Sequence, residues 1–255
     1  LRKAYQHFVP FLDAVESGFE KNIVCTALVR AQDYCALRSF CKDLKGPLNH
    51  LDIGPGLGSH AIYSLKGFNS CFYALEANPH SYSIQQDFFQ FLSHSGATYL
   101  NLIECEELNL NHSAISDLVN KSSEYKIKHV PSWYFDMIAD QSIDLITATW
   151  VLNELNAAGI LWLMSHSSRV LRKGGYFYIR DSSELKPLRH SINYDKLLLK
   201  MGFSEVARLH VTNRINFFGI PRVYRKKTNS IFSFEELVDS CLGKFVVTSH
   251  GGGYI

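Results

Sequence analysis

The chain has 255 residues, of which 46% are hydrophobic and 20% are charged, and its net charge is +2. This length and composition allow a full buried core, which excludes an intrinsically disordered chain. No apolar run approaches the roughly 20 residues that a membrane span requires. The near balance of 26 basic and 24 acidic residues argues against a nucleic-acid partner held through its phosphates.

Six cysteines bear on the cellular compartment. They are Cys25, Cys35, Cys41, Cys71, Cys105 and Cys241. No two have the Cys-x-x-Cys spacing of zinc ribbons or thioredoxin-like sites, so we expect free thiols in the reducing environment of the cytoplasm. No basic-then-apolar signal pattern opens the sequence at Leu1. We expect the chain to be part of a longer polypeptide or a homodimer.

Helical and strand patterns alternate along the chain. Residues 1–45 show a helical period that ends at Gly46 and Pro47. The predicted strands then span residues 48–53, 71–76, 126–130, 142–150, 176–181, 203–211 and 215–225. The predicted helices span residues 59–65, 79–94, 155–171, 191–201 and 232–242. Residues 97–103 fit either a strand or a continued helix, and residues 111–123 show a weak helical pattern.

This order of elements predicts the fold class. Strands that alternate with helices form a parallel sheet with right-handed crossovers, whereas the last two strands, with no helix between them, pair antiparallel. We predict an α/β, Rossmann-like, doubly wound sheet of seven strands, mostly parallel with an antiparallel edge, after a helical N-terminal extension. The predicted parts are a helical segment of residues 1–46, a Rossmann-like domain of residues 47–227 and a C-terminal tail of residues 228–255.

The most informative segment is residues 51–58, with the sequence LDIGPGLG, between a predicted strand and a predicted helix. Glycines there let the backbone approach a ligand closely, because no Cβ intervenes. Glu76 follows at the end of the next predicted strand, where an acid can accept hydrogen bonds from both hydroxyls of a ribose. Both features fall at the carboxyl edge of the sheet, where open α/β sheets bind ligands. We therefore predict a site for a nucleoside cofactor.

Two cofactors compete for this arrangement. A dinucleotide fingerprint requires Gly-x-Gly-x-x-Gly or Ala, but here Ser59 occupies the last position and Gly58 comes one residue early. The acid Asp52 before the turn suits a cationic ligand better than a pyrophosphate. S-adenosylmethionine carries an ammonium and a sulfonium and no phosphate. The residues favour S-adenosylmethionine, and a nicotinamide-dependent oxidoreductase stays as an alternative.

The chain resembles the class I S-adenosylmethionine-dependent methyltransferases over residues 48–226. Residues 51–58 (LDIGPGLG) look like motif I of that superfamily, and residues 74–79 (ALEANP) are similar to its acidic second-strand end. Residues 142–155 resemble its fourth strand and the following loop, and residues 171–177 (LRKGGYF) resemble the passage into its fifth strand. The resemblance implies an enzyme that transfers a methyl group from S-adenosylmethionine and releases S-adenosylhomocysteine.

The resemblance also implies which residues bind this cofactor. They are Asp52, Gly54, Pro55, Gly56 and Gly58 for the methionine end, Trp150 and Val151 beneath it, Glu76 for the ribose, and Ala77, Asn78, Ser132 and Trp133 around the adenine. The aromatic run of residues 133–135 has two interpretations, a stacking wall of the site or a piece of core.

The acceptor residues must follow the fourth and fifth strands. An oxygen nucleophile with a high pKa needs a base, or a metal that lowers the pKa. Asn153 and Glu154 follow the fourth predicted strand, Asp181 ends the fifth, and His190 lies in the loop after it. We predict His190 as the base, oriented by an acid, with a solvated loop histidine as the alternative. Asn153, Glu154 and Asp181 have the ligand types for a magnesium-like ion, but we expect no metal.

A weaker resemblance concerns the acceptor itself. Residues 131–134 (PSWY), 153–155 (NEL), 178–181 (YIRD) and 219–222 (GIPR) are similar to segments of bacterial sugar O-methyltransferases. This implies O-methylation of a sugar, a glycan or another small polar acceptor. Two alternatives stay open: methylation of nitrogen or carbon, on a small molecule or a protein, and a non-catalytic cofactor-binding module. Residues 153–156 (NELN) lack the Asn/Asp-Pro-Pro-Tyr type of motif, which argues against methylation of nucleobase amines.

Overall fold

The computed structural model describes residues 20–44, 46–94, 96–121, 124–181, 190–208, 220–241 and 246–248. The chain divides into two compact units, Leu1–Met137 and Ile138–Ile255. The predicted N-terminal segment is helical from Glu20 to Phe40, while residues 1–19 and 249–255 lie outside the described residues. The division into residues 1–46, 47–227 and 228–255 stays a prediction.

The first unit is a ladder of four parallel strands with helices between them. Its elements are α1 (Glu20–Phe40), β1 (Asn49–Ile53), α2 (His60–Phe68), β2 (Cys71–Glu76), α3 (Pro79–His94), β3 (Tyr99–Asn101), α4 (Leu102–Glu107), α5 (His112–Asn120), β4 (Ile127–Pro131) and a 3-10 segment (Ser132–Met137). The strand order is β3-β4-β2-β1, and all three pairings are parallel. In register, Ile53 lies opposite Leu75, and Glu76 lies opposite Pro131. The ends of β1, β2 and β4 therefore meet at one edge.

The second unit combines parallel and antiparallel strands. Its elements are β5 (Ile143–Thr149), a 3-10 segment (Leu152–Glu154), α6 (Ala157–Val170), β6 (Leu171–Asp181), β7 (His190–Ile192), α7 (Tyr194–Lys200), β8 (Phe203–Arg208), β9 (Ile220–Lys226), α8 (Phe234–Cys241) and β10 (Val246–Thr248). Strands β5 and β6 are parallel, whereas β6, β9 and β8 pair antiparallel in that order. Strands β7 and β10 form a separate antiparallel pair.

Apolar strands and aromatic helix faces form the core of the first unit. Every residue of β2 is buried, as expected for a parallel strand that is covered on both faces. On one face Phe72 packs against Phe89 with ring centroids 6.2 Å apart, and Phe88 adjoins Phe89. Each such phenylalanine contributes about 1.5–3 kcal/mol through burial. The glycine turn and the end of β2 are thus built on a rigid support.

The predicted topology is confirmed: the strands are mostly parallel and end in an antiparallel edge. The two ladders hold eight strands instead of the predicted seven. The additional strand, Tyr99–Asn101, comes from the segment for which the sequence allowed either a strand or a helix, and α4 follows it at once. Within the described residues, no helix has both the length and the apolar character needed to cross a membrane.

Candidate functional site

The glycine turn after β1 adopts a backbone that favours glycine at three positions. Gly54, Gly56 and Gly58 have φ of +59°, +61° and +75°, in the left-handed region. Other residues are disfavoured in this region by roughly 1–2 kcal/mol. The Gly54 N–H donates a 2.9 Å hydrogen bond to the Leu75 carbonyl, so the turn is attached to the end of β2. The spacing of glycines in residues 54–58 is therefore a backbone requirement.

Gly56 and Gly58 differ in what surrounds them. A Cβ on Gly58 would lie 2.7 Å from Cε1 of Phe89, so this glycine is required for packing against α3. A Cβ on Gly56 would meet its nearest described atom, Nη2 of Arg30, only at 3.9 Å. Within the part of the chain that the structure describes, the turn thus presents bare backbone towards open space at Gly56. This geometry fits a ligand that approaches the main chain closely.

Glu76 is held in one orientation at the end of β2. It is 8% exposed. Its Oε1 accepts hydrogen bonds from the N–H groups of Ala77 and Asn78, at 2.9 and 2.8 Å. Its Oε2 accepts one from Nε2 of Gln85 at 2.9 Å. The sequence analysis identified Glu76, Ala77 and Asn78 but missed Gln85. The local signal for Gln85 was a polar residue within the apolar face of α3.

A cleft of about 180 Å³ opens beside Glu76. Its lining consists of Glu76, Ala77, Asn78, Pro79, Tyr82, Ser83, Gln86, Ile103 and Trp133. Trp133 is 55% exposed, and its Nε1 donates to Oε1 of Glu106 at 3.2 Å. Phe135 is fully buried, so the aromatic run divides between the two interpretations: Trp133 lines the cleft and Phe135 belongs to the core. Ser132 is half-buried at the start of the 3-10 segment.

Asp52 lies in a buried cluster of charged side chains beneath the glycine turn. Nδ1 of His60 is 2.9 Å from Oδ2 of Asp52, and its Nε2 is 3.3 Å from Oδ2 of Asp33. Nη1 of Arg30 is 3.5 Å from the same Asp33 oxygen. All four side chains are buried. The cluster was missed from sequence, although the Arg-x-x-Asp pair within an apolar helix was a signal for it.

The cluster keeps its members charged. Burial alone would raise the pKa of Asp52, but the charge and hydrogen bond of His60 bring that pKa below its ordinary value. Burial would likewise lower the pKa of His60, and the charge of Asp52 raises it above its ordinary value. In contrast, burial lowers the pKa of the neighbouring His50 to about 3, so His50 is neutral. We infer a buried ion pair that fixes the end of β1 to α2.

The variant His60→Gln tests this ion pair through stability. The raised pKa of His60 stabilises the fold fully below pH 6.5, and this contribution is lost as the pH rises through the folded-state pKa. The lowered pKa of Asp52 adds stability above pH 3.8, and this stability is lost as the pH falls through the folded-state pKa. We expect His60→Gln to lower the free energy of unfolding by about 1–3 kcal/mol at pH 5–6. In urea titrations the difference should shrink as the pH rises above 6.5 through the raised folded-state pKa of His60; a difference that stays constant over the whole pH range would contradict the ion pair.

Trp150 and Val151 follow β5 in the second unit. Trp150 has φ of +61°, an uncommon conformation for a residue other than glycine. Its N–H donates a 2.8 Å hydrogen bond to the Arg180 carbonyl. The Arg180 guanidinium lies 5.1 Å from the Trp150 ring centroid. These contacts hold the turn after β5 against the end of β6 in a strained conformation, and such strain concentrates at functional sites.

Asp181, the last residue of β6, has an unusual protonation equilibrium. Burial raises its pKa to about 6, which the charges of Arg222 and Arg180 and the Asn153 N–H only partly oppose. The negative charge of Glu154 raises the pKa further. Asn153 and Glu154 thus lie close enough to Asp181 to influence its pKa, and their joint role at an acceptor site stays a prediction. A carboxyl group with this pKa can exchange a proton near neutral pH.

His190 lies elsewhere than predicted. The sequence predicts a loop at this position, but His190 begins β7, and its backbone lies opposite Thr248 of β10. The prediction of a loop was wrong because the pairing partner comes from the C-terminal tail. The described part of the structure does not include the His190 side chain, so its role as a base stays a prediction. Across the described ranges, no group of three or more His, Cys, Asp or Glu side chains is placed to hold a metal ion.

Comparisons with known proteins assign the fold. No family model matches the sequence, and no curated protein matches it. The structure is similar to magnesium protoporphyrin IX methyltransferase from Synechocystis PCC 6803 with bound S-adenosylhomocysteine, with a TM-score of 0.51 and 13% identity over 88% of this chain and 95% of that one. The same enzyme with bound S-adenosylmethionine gives a TM-score of 0.50 and 14% identity over 83% and 86%. Phosphoethanolamine N-methyltransferase 1 from Haemonchus contortus matches with a TM-score of 0.47 and 13% sequence identity, over 77% of this chain and 43% of that one.

The two likenesses to the Synechocystis enzyme extend over 83% and 88% of this chain. At 13–14% identity they define the fold and leave the substrate open. The chain has the fold of the class I S-adenosylmethionine-dependent methyltransferases, as the resemblance implied.

Proposed function

We propose that the protein is an S-adenosylmethionine-dependent methyltransferase. The observation that carries the proposal is the pairing of bare backbone at Gly56 with the oriented carboxylate of Glu76, both at the carboxyl edge of the first unit. Open α/β folds bind nucleoside cofactors at this edge. The fold adds support, because the similar Synechocystis enzyme holds S-adenosylmethionine or S-adenosylhomocysteine.

The residues of the first unit fit this cofactor. The backbone of Gly54 and Gly56 would hold its methionine end, and Glu76 would accept a hydrogen bond from the ribose. The cleft beside Glu76 offers Asn78 and Trp133 to the adenine ring. The bound cofactor supplies a methyl group on a positively charged sulfur. Because Asp52 is fully buried and paired with His60, we assign it the task of fixing the turn.

We further propose that the acceptor is a hydroxyl group of a sugar or another small polar molecule. Asp181 would take the hydroxyl proton, since its pKa of about 6 makes it a competent base at neutral pH. Asn153 and Glu154 lie in the same turn region and would orient the acceptor. Methylation of nitrogen or carbon remains the alternative, and a non-catalytic cofactor-binding module is the second.

Calorimetric titration with S-adenosylmethionine, S-adenosylhomocysteine and NAD in parallel tests the cofactor. We expect micromolar binding of the first two and none of NAD. Transfer of a labelled methyl group to a panel of sugars, amines and activated carbon acids then tests the acceptor. Label in sugars supports the proposal, and label only in amines or carbon acids contradicts O-methylation. Cofactor binding without transfer to any acceptor favours the non-catalytic module.

The variant Glu76→Ala should weaken binding of S-adenosylhomocysteine by about 1–3 kcal/mol, because it removes a charge-assisted hydrogen bond to the ribose. Dissociation constants from calorimetry measure the effect. Glu107→Ala is the matched control, since Glu107 is exposed at the end of α4 and outside the cleft. Equal affinities of the two variants would refute the ribose assignment.

We also propose that the protein acts in the cytoplasm. Among the described residues, Cys35, Cys71 and Cys105 carry free thiols, which suits a reducing compartment. Cys35 is exposed rather than part of the core. Assembly as a homodimer or within a longer polypeptide stays a prediction.

A further inference from the structure

Gln85 is a polar residue on the buried face of α3. The other buried members of that face are Tyr82, Phe88, Phe89 and Leu92. Gln85 is 0% exposed. Burial of an amide without hydrogen bonds costs several kcal/mol, so a glutamine in this position requires partners for both ends of its side chain.

The amide nitrogen of Gln85 joins the two halves of the proposed cofactor site. Nε2 donates one hydrogen bond to the Gly56 carbonyl at 2.7 Å. It donates a second to Oε2 of Glu76 at 2.9 Å. The two hydrogens of the amide are therefore divided between the glycine turn and the carboxylate at the end of β2. One side chain sets the position of both.

His129 on β4 determines the orientation of this amide. It is fully buried, and burial lowers its pKa to about 3, so the ring is neutral. Nδ1 lies 3.2 Å from the Tyr99 hydroxyl, and Nε2 lies 2.9 Å from Oε1 of Gln85. With the Tyr99 O–H donating to Nδ1, the ring carries its proton on Nε2 and donates it to Oε1 of Gln85. Its stacking on Tyr82, with ring centroids 3.4 Å apart, keeps the imidazole in place.

This network also limits what Glu76 can accept. A carboxylate offers about four acceptor positions. Ala77 and Asn78 occupy both positions on Oε1, and Gln85 occupies one on Oε2. Among the contacts of the described residues, one position, on Oε2, is left for a ligand. The expectation from sequence was that this acid accepts from both hydroxyls of a ribose.

We propose that Gln85, oriented by His129, is a positioning residue that locks Glu76 to the glycine turn and leaves Glu76 a single acceptor position for one ribose hydroxyl. The inference rests on the proposed cofactor. It adds a specificity to that site: of the two ribose hydroxyls, one is recognised through Glu76 and the other is not. A Gln85 variant should therefore lose the recognition of that hydroxyl in particular.

The test compares ligands that lack one hydroxyl. S-adenosylhomocysteine and its 2′-deoxy and 3′-deoxy analogues are titrated into the wild-type protein and into Gln85→Met, which keeps the side-chain length and removes the amide. For the wild type we expect one deoxy analogue to bind about tenfold more weakly than the parent and the other to bind nearly as well. In Gln85→Met, both acceptor positions on Oε2 of Glu76 are open and the carboxylate is no longer held to the glycine turn. We therefore expect weaker binding of the parent ligand and similar affinities for the two deoxy analogues.

Gln90→Met is the matched control, because Gln90 is exposed on the same helix. It should reproduce the wild-type pattern. A Gln85→Met variant that weakens all three ligands equally would show a merely structural role and overturn the inference. If that variant fails to fold, the wild-type comparison decides: equal losses with both deoxy analogues overturn the single-acceptor inference. A wild type that binds none of the ligands overturns the proposed function itself.

Discussion

The variant Asp181→Asn is expected to lower turnover by about two to four orders of magnitude, while binding of S-adenosylhomocysteine stays close to wild type. General-base catalysis contributes effects of this size. The substitution keeps the shape of the side chain and removes its ability to take a proton. Turnover with a labelled methyl donor and calorimetry with S-adenosylhomocysteine measure the two quantities separately.

The pH dependence of the turnover rate is a more specific test of Asp181 as the base. Because burial raises the pKa of Asp181 to about 6, the wild-type rate should rise as the pH increases to about 6 and then level off. The raised pKa of Asp181 also lowers the free energy of unfolding as the pH rises. The ordinary pKa is 3.8, so ionisation of the folded state weakens folding between about pH 4 and 6. Asp181→Asn should therefore be more stable than wild type above pH 6, by up to about 3 kcal/mol.

The variant His190→Ala tests the alternative, that His190 is the base, in the same assays. If His190 is the base, as the sequence analysis predicts, His190→Ala lowers turnover and removes the acidic limb of the pH profile while Asp181→Asn does not. If Asp181→Asn is more stable than wild type and its turnover is unchanged, Asp181 is a buried acid without a catalytic role. Loss of turnover together with a gain in stability above pH 6 would identify a group retained for function at the expense of stability.

Local patterns in the sequence were enough to predict the fold class and the glycine turn. Strand β2, with the sequence CFYALE, is an apolar run that ends in an acid, and this pattern predicts a covered parallel strand. Gly54, Gly56 and Gly58 were identified because a strand, a glycine turn and a helix follow one another directly. In each case the residues that determine the feature are neighbours in the chain.

Contacts between distant segments explain what was missed. Gln85 and His129 are 44 positions apart, and His60 and Asp33 are 27 apart, so no local period reveals that they form hydrogen bonds. The same reason accounts for His190, whose strand exists only because Thr248 and its neighbours pair with it. Polar residues on apolar helix faces were the remaining signal, and they indicate a buried partner without identifying it.

The variant Gly56→Ala is expected to abolish detectable binding of S-adenosylhomocysteine, with a loss of about 100-fold or more. The new methyl group meets no described atom of the protein closer than 3.9 Å. It would instead project into the space where we place the cofactor, and overlap with a bound ligand cannot be relieved by movement of a rigid turn. The only cost to the fold itself is the left-handed backbone, about 1–2 kcal/mol for alanine at this φ.

The control variant Gly96→Ala distinguishes the effect of backbone strain from that of a methyl group that blocks the proposed cofactor position. Gly96 has φ of +97°, and a Cβ there has no described atom within 4 Å, so this variant also introduces backbone strain, at least as large, away from the turn. We expect both alanine variants to lose thermal stability, and only Gly56→Ala to lose cofactor binding. Equal affinity of both variants would mean that no ligand approaches the Gly56 backbone. The turn would then serve packing alone, as Gly58 does against Phe89, and the cofactor assignment would lose the observation that carries it.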